Sequence, residues 1–265
     1  MAEEILPGGV GNAGSVVRVG TDVLRPTNPH TATIHRLLRH LRAEGFDGVP
    51  EVVGVEADGR ERLRFIEGEV PIPPFPAWSQ TDDILASTAA LLARFHRASA
   101  TLRAAPGETW STEVADPGRS GGPTVICHND VCQENVVYRH GVAVALLDFD
   151  FAAPGRPLYD LAQLAKMCVP LDTPEDAARW GRGSLDAVAR LRVVADGYGL
   201  PPGRAEFVQV LHEAIAVGGA FVARRVADGD EAFVAMWKQM GGQARYDRRR
   251  VWFERHRRHF LAALG

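Results

Sequence analysis

The chain has 265 residues and a mass of 28.8 kDa, which suits one or two lobes built around shared cores. Hydrophobic residues make up 46% of the chain and charged residues 24%, and this near-average composition excludes wholesale disorder. The net charge of −3 is too small to argue for nucleic-acid binding. The charge is unevenly distributed, because residues 69–160 alone sum to −5.

The composition predicts a cytoplasmic protein. No apolar run approaches the ~20 residues that a membrane helix needs, and the acidic start of the chain lacks the basic region of a secretory signal. The three cysteines, Cys127, Cys132 and Cys168, form no pattern of paired spacings, so we expect reduced thiols.

The first 68 residues are predicted to form short strands and one helix. Leucines at helical spacing predict a helix over Thr33–Arg42, which Gly45 ends. A glycine-rich turn, Gly8–Ser15, precedes two predicted strand pairs. The strands of these pairs are Val16–Val19 with Asp22–Arg25, and Val52–Val55 with Arg62–Ile66.

The rest of the chain is predicted to be mainly helical. Asp82 and Asp83 can cap a helix that runs to about Ser99. A long Gly/Pro-rich connection, Thr101–Pro123, follows, and such a connection is usually functional. Four or five helices are expected after Pro157. The strands predicted between the connection and these helices are Thr124–Cys127, Asn135–Tyr138 and Val142–Leu147.

The strongest chemical signal is the pattern H-x-D-x-x-x-x-N, formed by His128, Asp130 and Asn135 directly after a predicted strand. Asp148 stands 13 residues after Asn135, at the end of another apolar strand. A phosphoryl-transfer site needs one carboxylate beside the hydroxyl nucleophile. It also needs an amide oxygen and a second carboxylate to hold Mg²⁺ on a triphosphate. Two strand ends lying side by side could present all three groups.

These motifs resemble the aminoglycoside phosphotransferase family, the small-molecule branch of the protein-kinase-like fold. The resemblance is strongest over Val125–Ala162, clear over Leu6–Val70, and weakest after residue 170. The run Pro157-Leu-Tyr-Asp-Leu-Ala162 is similar to that family and unlike protein kinases, which have an activation loop there.

The resemblance implies roles for individual residues. Asp130 would be the catalytic base, and Asn135 and Asp148 would ligate Mg²⁺. Arg25 would take the place of the family's strand lysine. The Gly8–Ser15 loop, with Gly9, Asn12 and Ser15, would cover the phosphates, and the backbone of Arg64, Phe65 and Ile66 would form the hinge that receives the base of ATP or GTP.

Three positions depart from the family's pattern. The residue between the histidine and the aspartate of the loop is Asn129 rather than glycine. Arg25 keeps the positive charge but replaces a point charge with a wide fork. The following helix offers His35 where the family has a glutamate, so the sequence predicts no strand–helix ion pair of the usual kind.

Each role has a simpler structural alternative. Asp130 could be a turn residue, and Asn135 could only cap a helix. Asp150 could ligate metal or bond the loop backbone. His128 is predicted to be a hydrogen-bonded scaffold residue, and Asp160 is predicted to tie the loop.

The sequence therefore predicts an α+β, bilobal protein-kinase-like fold, with residues 1–68 as the nucleotide-binding lobe and 69–265 as the catalytic and substrate-binding helical lobe. The predicted function is Mg²⁺-dependent transfer of the γ-phosphoryl group of ATP or GTP to a small-molecule hydroxyl. An amine-bearing alcohol is the expected acceptor, since Glu113 and Asp116 could line the mouth of the cleft.

Two alternatives remain open at this point. One is a nucleotide-binding regulator with little turnover, which Arg25 and the missing helix glutamate favour. The other is a nucleic-acid-binding module that uses the arginines of Arg245–His259, although acidic residues interrupt that segment.

Overall fold

The N-terminal part of the chain is a five-stranded antiparallel sheet in the order β1–β2–β3–β5–β4. It belongs to a computed structural model that describes residues 3–7, 14–103, 105–118 and 124–265. One helix, α1, packs in this part of the molecule. The elements are β1 (Glu4–Ile5), β2 (Val17–Val19), β3 (Asp22–Pro26), α1 (Thr31–Ala43), β4 (Val52–Val55) and β5 (Arg60–Arg64).

Two tight turns set the register of this sheet. Gly20 adopts a positive φ of 64° between the paired residues Val19 and Asp22, a conformation that costs glycine little. At the next turn the Asp58 carboxylate accepts a hydrogen bond from the Arg60 backbone N–H. Strand β5 therefore begins at Arg60, two residues before the predicted start.

The second part of the chain is mostly helical and carries two short two-stranded sheets. Strand β6 pairs with β9, and β7 pairs with β8, all antiparallel. Its elements are α2 (Asp82–Ser99), β6 (Val125–Cys127), β7 (Val136–Arg139), β8 (Val142–Leu146), β9 (Ala153–Gly155), α3 (Pro157–Cys168), α4 (Pro174–Ala178), α5 (Ala187–Tyr198), α6 (Ala205–Ala227), α7 (Glu231–Met240) and α8 (Gly242–Leu264).

Two predictions about these helices were inaccurate. Helix α2 is capped by Thr81, whose hydroxyl accepts from the Ile84 N–H, while Asp82 and Asp83 lie in its first turn. Among the described residues, six helices follow Pro157 rather than four or five. The break between α7 and α8 falls at Gly241, which ends α7 in the left-handed conformation.

Helix α2 forms the centre of the core. It packs against α5, α3, β6 and β8, and its buried side chains include Leu91, Leu92 and Phe95, each at most 1% exposed. Burial of such side chains contributes about 1.5–3 kcal/mol each relative to exposure. This core fixes the strands that carry the polar loops described below.

Helix α6 is more apolar than the sequence analysis allowed. It is 23 residues long with a mean hydropathy of 1.3 in its most apolar window, so by length and composition alone it could cross a membrane. The statement that no run approaches that length was therefore wrong. In this structure α6 packs against α3, α7 and α8.

Candidate active site

The loop after β6 is held from below by Asp160 of α3. One Asp160 oxygen accepts from the His128 N–H at 2.6 Å, and the other accepts from the Asn129 N–H at 2.8 Å. His96 Nε2 lies 2.9 Å from the same carboxylate. Burial alone would raise the pKa of Asp160, but the hydrogen bonds, that of His96 above all, lower it. The structure agrees with the prediction that Asp160 ties this loop.

His128 is a buried scaffold residue, as predicted. Its Nε2 lies 2.8 Å from the Leu147 carbonyl oxygen, and its ring packs 4.6 Å from that of Phe149. Burial lowers the pKa of His128, which favours the neutral ring. His128 therefore joins the loop after β6 to the loop after β8.

Asn129 explains one departure from the family pattern. Its φ is +65°, in the left-handed region where glycine is favoured and asparagine is tolerated. Its side-chain Nδ2 donates to the Phe151 carbonyl at 2.9 Å, a contact that glycine could not make. Asparagine thus keeps the required backbone conformation and adds a second link between the two loops.

Asp130 and Asn135 are in direct contact. The Asn135 Nδ2 donates to the Asp130 carboxylate at 2.9 Å and to the Asp130 carbonyl at 3.0 Å, and neither bond uses the amide oxygen. The Leu147 N–H donates to the Asn135 carbonyl at 2.8 Å, which brings Asp148 alongside. Burial raises the pKa of Asp130, and repulsion by Asp148 adds to the rise.

The register of β7 and β8 explains why these groups meet. Val136, just after Asn135, pairs with Leu146, two residues before Asp148. Antiparallel pairing places the start of one strand beside the end of the next. Asp148 also has a φ of +60°, which costs a non-glycine residue about 1–2 kcal/mol and is typical of functional sites.

Arg25 of β3 reaches these carboxylates from the N-terminal sheet. Its guanidinium lies 3.2 Å from Asp148 and forms a shorter hydrogen bond with Asp150. Asn28 also donates to Asp150, at 2.9 Å. The sequence left two roles open for Asp150, metal ligation and a bond to the loop backbone. In the structure Asp150 binds the side chains of Arg25 and Asn28 from the N-terminal lobe.

Sequence reasoning missed the carboxylate partner of Arg25. Glu61 of β5 lies directly opposite Arg25 in the sheet, with Oε1 3.2 Å from Nε. Its second oxygen lies 2.7 Å from His35 Nε2 of α1. The prediction started β5 at Arg62 and so left Glu61 outside the strand. A longer strand in the Asp58-Gly59 hairpin would have revealed it.

The predicted hinge is only partly available for ligand binding. The Arg64 N–H donates to the Glu51 carbonyl at 2.8 Å, and the Phe65 N–H donates to the Thr21 carbonyl at 2.9 Å. Among the described residues, no hydrogen bond engages the Ile66 N–H. Two of the three predicted backbone donors, Arg64 and Phe65, therefore already donate within the protein.

The predicted phosphate-covering loop lies largely outside the described residues, and this includes Gly9 and Asn12. At its end, Gly14 has a positive φ of 77°, and Ser15 follows before β2. Arg18 of β2, which follows this loop, stacks on the Phe65 ring at 3.8 Å and pairs with Glu67 at 2.6 Å.

The donor atoms suit a hard divalent cation. Asn135 offers an amide oxygen, and Asp148 and Asp150 offer carboxylate oxygens, the ligand types that Mg²⁺ prefers. A second cluster, formed by His96, Cys127 and Asp160, is fully buried. Its histidine and carboxylate already bond each other, and the carboxylate also accepts from the loop after β6, so we assign the cluster to support of that loop.

A buried polar network, absent from the predictions, supports the turn that carries Asn135. Arg182 donates to Gln80 and to Gln133, both at 2.9 Å, and Gln80 donates to Gln133 at 2.7 Å. Any two of these residues are 49 or more positions apart in the chain, so sequence spacing carries no signal for their contact. Burial lowers the pKa of Arg182.

The three thiols surround the same region. Cys127 ends β6, Cys132 lies two residues after Asp130, and Cys168 ends α3. All three are free and buried. Burial raises the pKa of each thiol, so each is held in its unreactive protonated form.

The expectation that Asp116 lines the mouth of a cleft was wrong. Asp116 is 3% exposed and receives two hydrogen bonds from the Arg156 side chain, at 2.7 and 2.8 Å. Glu113 pairs with Arg224 at 3.3 Å on the surface. Both charges are compensated by arginines, so they give little support to a cationic acceptor.

The arginines of α8 also have partners within the protein. Arg245 pairs with Asp172 at 2.6 Å, and Arg248 pairs with Asp176 at 2.8 Å. Arg249 donates to the carbonyls of Leu171 and Lys166. These three arginines of the segment that suggested nucleic-acid binding therefore hold α8 against the preceding part of the chain.

Solved structures share this architecture. The choline/ethanolamine kinase family protein from Mesorhizobium loti aligns with a TM-score of 0.67 and 17% identity, covering 100% of this chain and 92% of that one. The gentamicin complex of APH(2″)-IIa aligns with a TM-score of 0.60 and 13% identity, covering 92% and 93% of the two chains. The fold is thus that of the protein-kinase-like phosphotransferases, an α+β class.

Sequence comparison narrows this class to a family. The family model described as "Phosphotransferase enzyme family" matches residues 102–194. The trifolitoxin immunity protein of Rhizobium leguminosarum bv. trifolii is 34% identical over 277 aligned positions, which cover 100% of both chains. The chain belongs to the aminoglycoside phosphotransferase family, whose members are small-molecule kinases, and the resemblance inferred from its motifs is confirmed.

Proposed function

We propose that the protein transfers the γ-phosphoryl group of ATP or GTP to a hydroxyl of a small molecule, with Mg²⁺ as the metal. One observation supports the proposal: Asn135 bonds the Asp130 carboxylate, its carbonyl accepts from Leu147 next to Asp148, and Arg25 of the N-terminal sheet pairs with Asp148. Bound Mg²⁺ would neutralise charge on the phosphates. Asn135 and Asp148 would hold it.

The chain's own residues would act mainly by positioning. Asp130 would orient the acceptor hydroxyl and take its proton, and Asn135 would hold the Asp130 carboxylate through its Nδ2. Arg25 would orient the phosphates. No covalent intermediate is needed, because transfer of this kind rests on alignment and charge stabilisation.

The acceptor class is a separate part of the proposal. APH(2″)-IIa was solved with gentamicin, which supports testing aminoglycosides and other amine-bearing alcohols. The full-length identity of 34% with a trifolitoxin immunity protein supports a second candidate, in which the acceptor is a toxin that phosphorylation would inactivate.

A nucleotide-consumption screen tests the proposal. The purified protein is given Mg²⁺, ATP or GTP, and a panel of cationic, neutral and anionic hydroxyl compounds, and mass spectrometry checks for one added phosphoryl group. Asp148→Ala is the control, because loss of a metal ligand should abolish transfer. Nucleotide binding without phosphorylation of any acceptor would favour the regulator alternative.

The cytoplasmic location stays a prediction, which cell fractionation would test.

A further inference from the structure

The three polar side chains that connect the sheet to α1 form a continuous buried chain. Arg25, Glu61 and His35 are 8%, 4% and 5% exposed. Glu61 bridges the other two, with one oxygen 3.2 Å from Arg25 Nε and the other 2.7 Å from His35 Nε2. A buried carboxylate needs such partners, because burying an unpaired charge is costly.

Arg25 is shared between two sets of carboxylates. Glu61 approaches it from the neighbouring strand, while Asp148 and Asp150 approach from the opposite lobe. The Arg25 Nε is buried and close to Glu61, but it makes no aligned hydrogen bond in this state. A small rotation of the guanidinium would complete that bond.

We propose that Glu61 is the positioning residue for Arg25, and that His35 connects this pair to α1. A strand carboxylate would then do the work that the family's pattern assigns to a helix glutamate. The inference rests on the proposed function, because it concerns how Arg25 is directed toward a nucleotide. It also accounts for two departures from the pattern, Arg25 and His35, with one arrangement.

The negative charge of Glu61 competes with the charges of Asp148 and Asp150 for Arg25. Without the negative charge of Glu61, Arg25 would be drawn more strongly to Asp150 and to Asp148, the carboxylate proposed to hold the metal. The guanidinium would then compete with the cation for the same oxygens. Removal of the Glu61 charge should therefore weaken nucleotide binding and raise the Mg²⁺ concentration that binding requires.

The test is calorimetric titration of Mg-nucleotide into the wild type, Glu61→Gln and the control Glu56→Gln. Glu56 is a suitable control, since it lies just after β4 and pairs with Arg62 at 2.7 Å, but it is more exposed than Glu61 and does not contact Arg25. We expect Glu61→Gln to weaken nucleotide affinity roughly tenfold, the scale of one charged hydrogen bond. The half-saturating Mg²⁺ concentration should rise, and Glu56→Gln should match the wild type.

Other results would overturn the inference without touching the proposed function. If Glu61→Gln lowers the unfolding temperature but binds Mg-nucleotide like the wild type, Glu61 only anchors α1 to the sheet. If Glu61→Gln does not fold, the same titration is made on Glu61→Asp, whose carboxylate is one methylene shorter and is withdrawn from the contacts with Arg25 and His35. Wild-type affinity together with a wild-type Mg²⁺ requirement would then show that the contact with Arg25 is dispensable and would reject the positioning role. Failure of the wild type itself to bind nucleotide would instead reject the proposed function.

His35 is tested by a pair of variants. His35→Gln keeps a nitrogen donor that can reach Glu61, whereas His35→Leu removes it. We expect nucleotide affinity near wild type for His35→Gln and a loss of several-fold for His35→Leu. Equal affinities for the two variants would show that α1 is not coupled to Arg25 through this contact.

Discussion

At the scale of single residues, the contact between Asp130 and Asn135 leads to the first prediction. Asp130→Asn keeps the size of the side chain but removes the negative acceptor that would orient the hydroxyl. Turnover should fall by a factor of roughly 10²–10⁴, as for loss of a general base, while nucleotide affinity stays near wild type. Steady-state kinetics and nucleotide titration measure the two effects. A variant that retains more than half the wild-type turnover contradicts the proposed role.

The second prediction concerns Asn129 and its left-handed backbone. Asn129→Ala should lose both the tolerated φ of +65° and the bond to Phe151, whereas Asn129→Gly should lose only the bond. The backbone difference is worth about 1 kcal/mol, so the glycine variant should be the more stable of the two. Denaturant unfolding gives both free energies. Equal stabilities would mean that the loop relaxes and carries no such preference.

These residues show what a sequence reveals at this scale. The spacing of Asp130, Asn135 and Asp148 depends on one loop and one hairpin, so the pattern was enough to predict that they meet. The Asn129 conformation and the Glu61 contact depend on backbone angles and strand register, which local sequence does not determine. The pattern therefore predicted which side chains meet and missed part of the contacts that support them.

At the scale of elements, Asp116 ties the long connection to the start of α3, and this gives a prediction about pH. Burial raises the pKa of Asp116, but the hydrogen bonds from Arg156 outweigh it, so the pKa is lowered on folding. A lowered pKa contributes stability above the unfolded value of about 3.9, and the contribution is lost as pH falls through the folded pKa.

Asp116→Asn should therefore destabilise the protein at neutral pH, by about 1–3 kcal/mol, and the difference from wild type should shrink in acid. Thermal unfolding of both proteins between neutral and acidic pH measures this. Glu113→Gln is the matched control, because its exposed pair with Arg224 is worth about 0–1 kcal/mol. A constant difference across the pH range would show that the Asp116 charge is not responsible.

The elements themselves were predicted unevenly. The existence of the sheet, of α1 and α2, and of the strands around the site followed from periodicity and turn residues. The helices after residue 157 were undercounted because the short α4 and the break at Gly241 leave weak sequence signals. The network of Gln80, Gln133 and Arg182 could not be predicted, since only the packed tertiary structure brings these residues together.

At the scale of the whole molecule, the distribution of charge bears on the acceptor. With Asp116 and Glu113 paired to arginines, attraction for a cation depends on the carboxylates of the site itself, including half-buried Glu134 beside Asp130. We expect a cationic acceptor to bind more weakly as salt rises and a matched neutral acceptor to be unaffected. Phosphorylation of the pair at low and high salt measures this. Preference for the neutral compound at both salt concentrations would contradict a cationic acceptor.

The buried thiols offer a way to measure how often the structure around them opens. Cys127 and Cys132 flank the catalytic loop, and their sulfur atoms can meet a water-soluble alkylating reagent only when that loop opens. Alkylation rates would then report local opening, residue by residue, without any introduced label. If nucleotide closes the cleft over this loop, modification of Cys132 should slow severalfold on addition of Mg-nucleotide, as mass spectrometry of the labelled peptides would record. An unchanged rate would mean that the loop opens independently of the cleft.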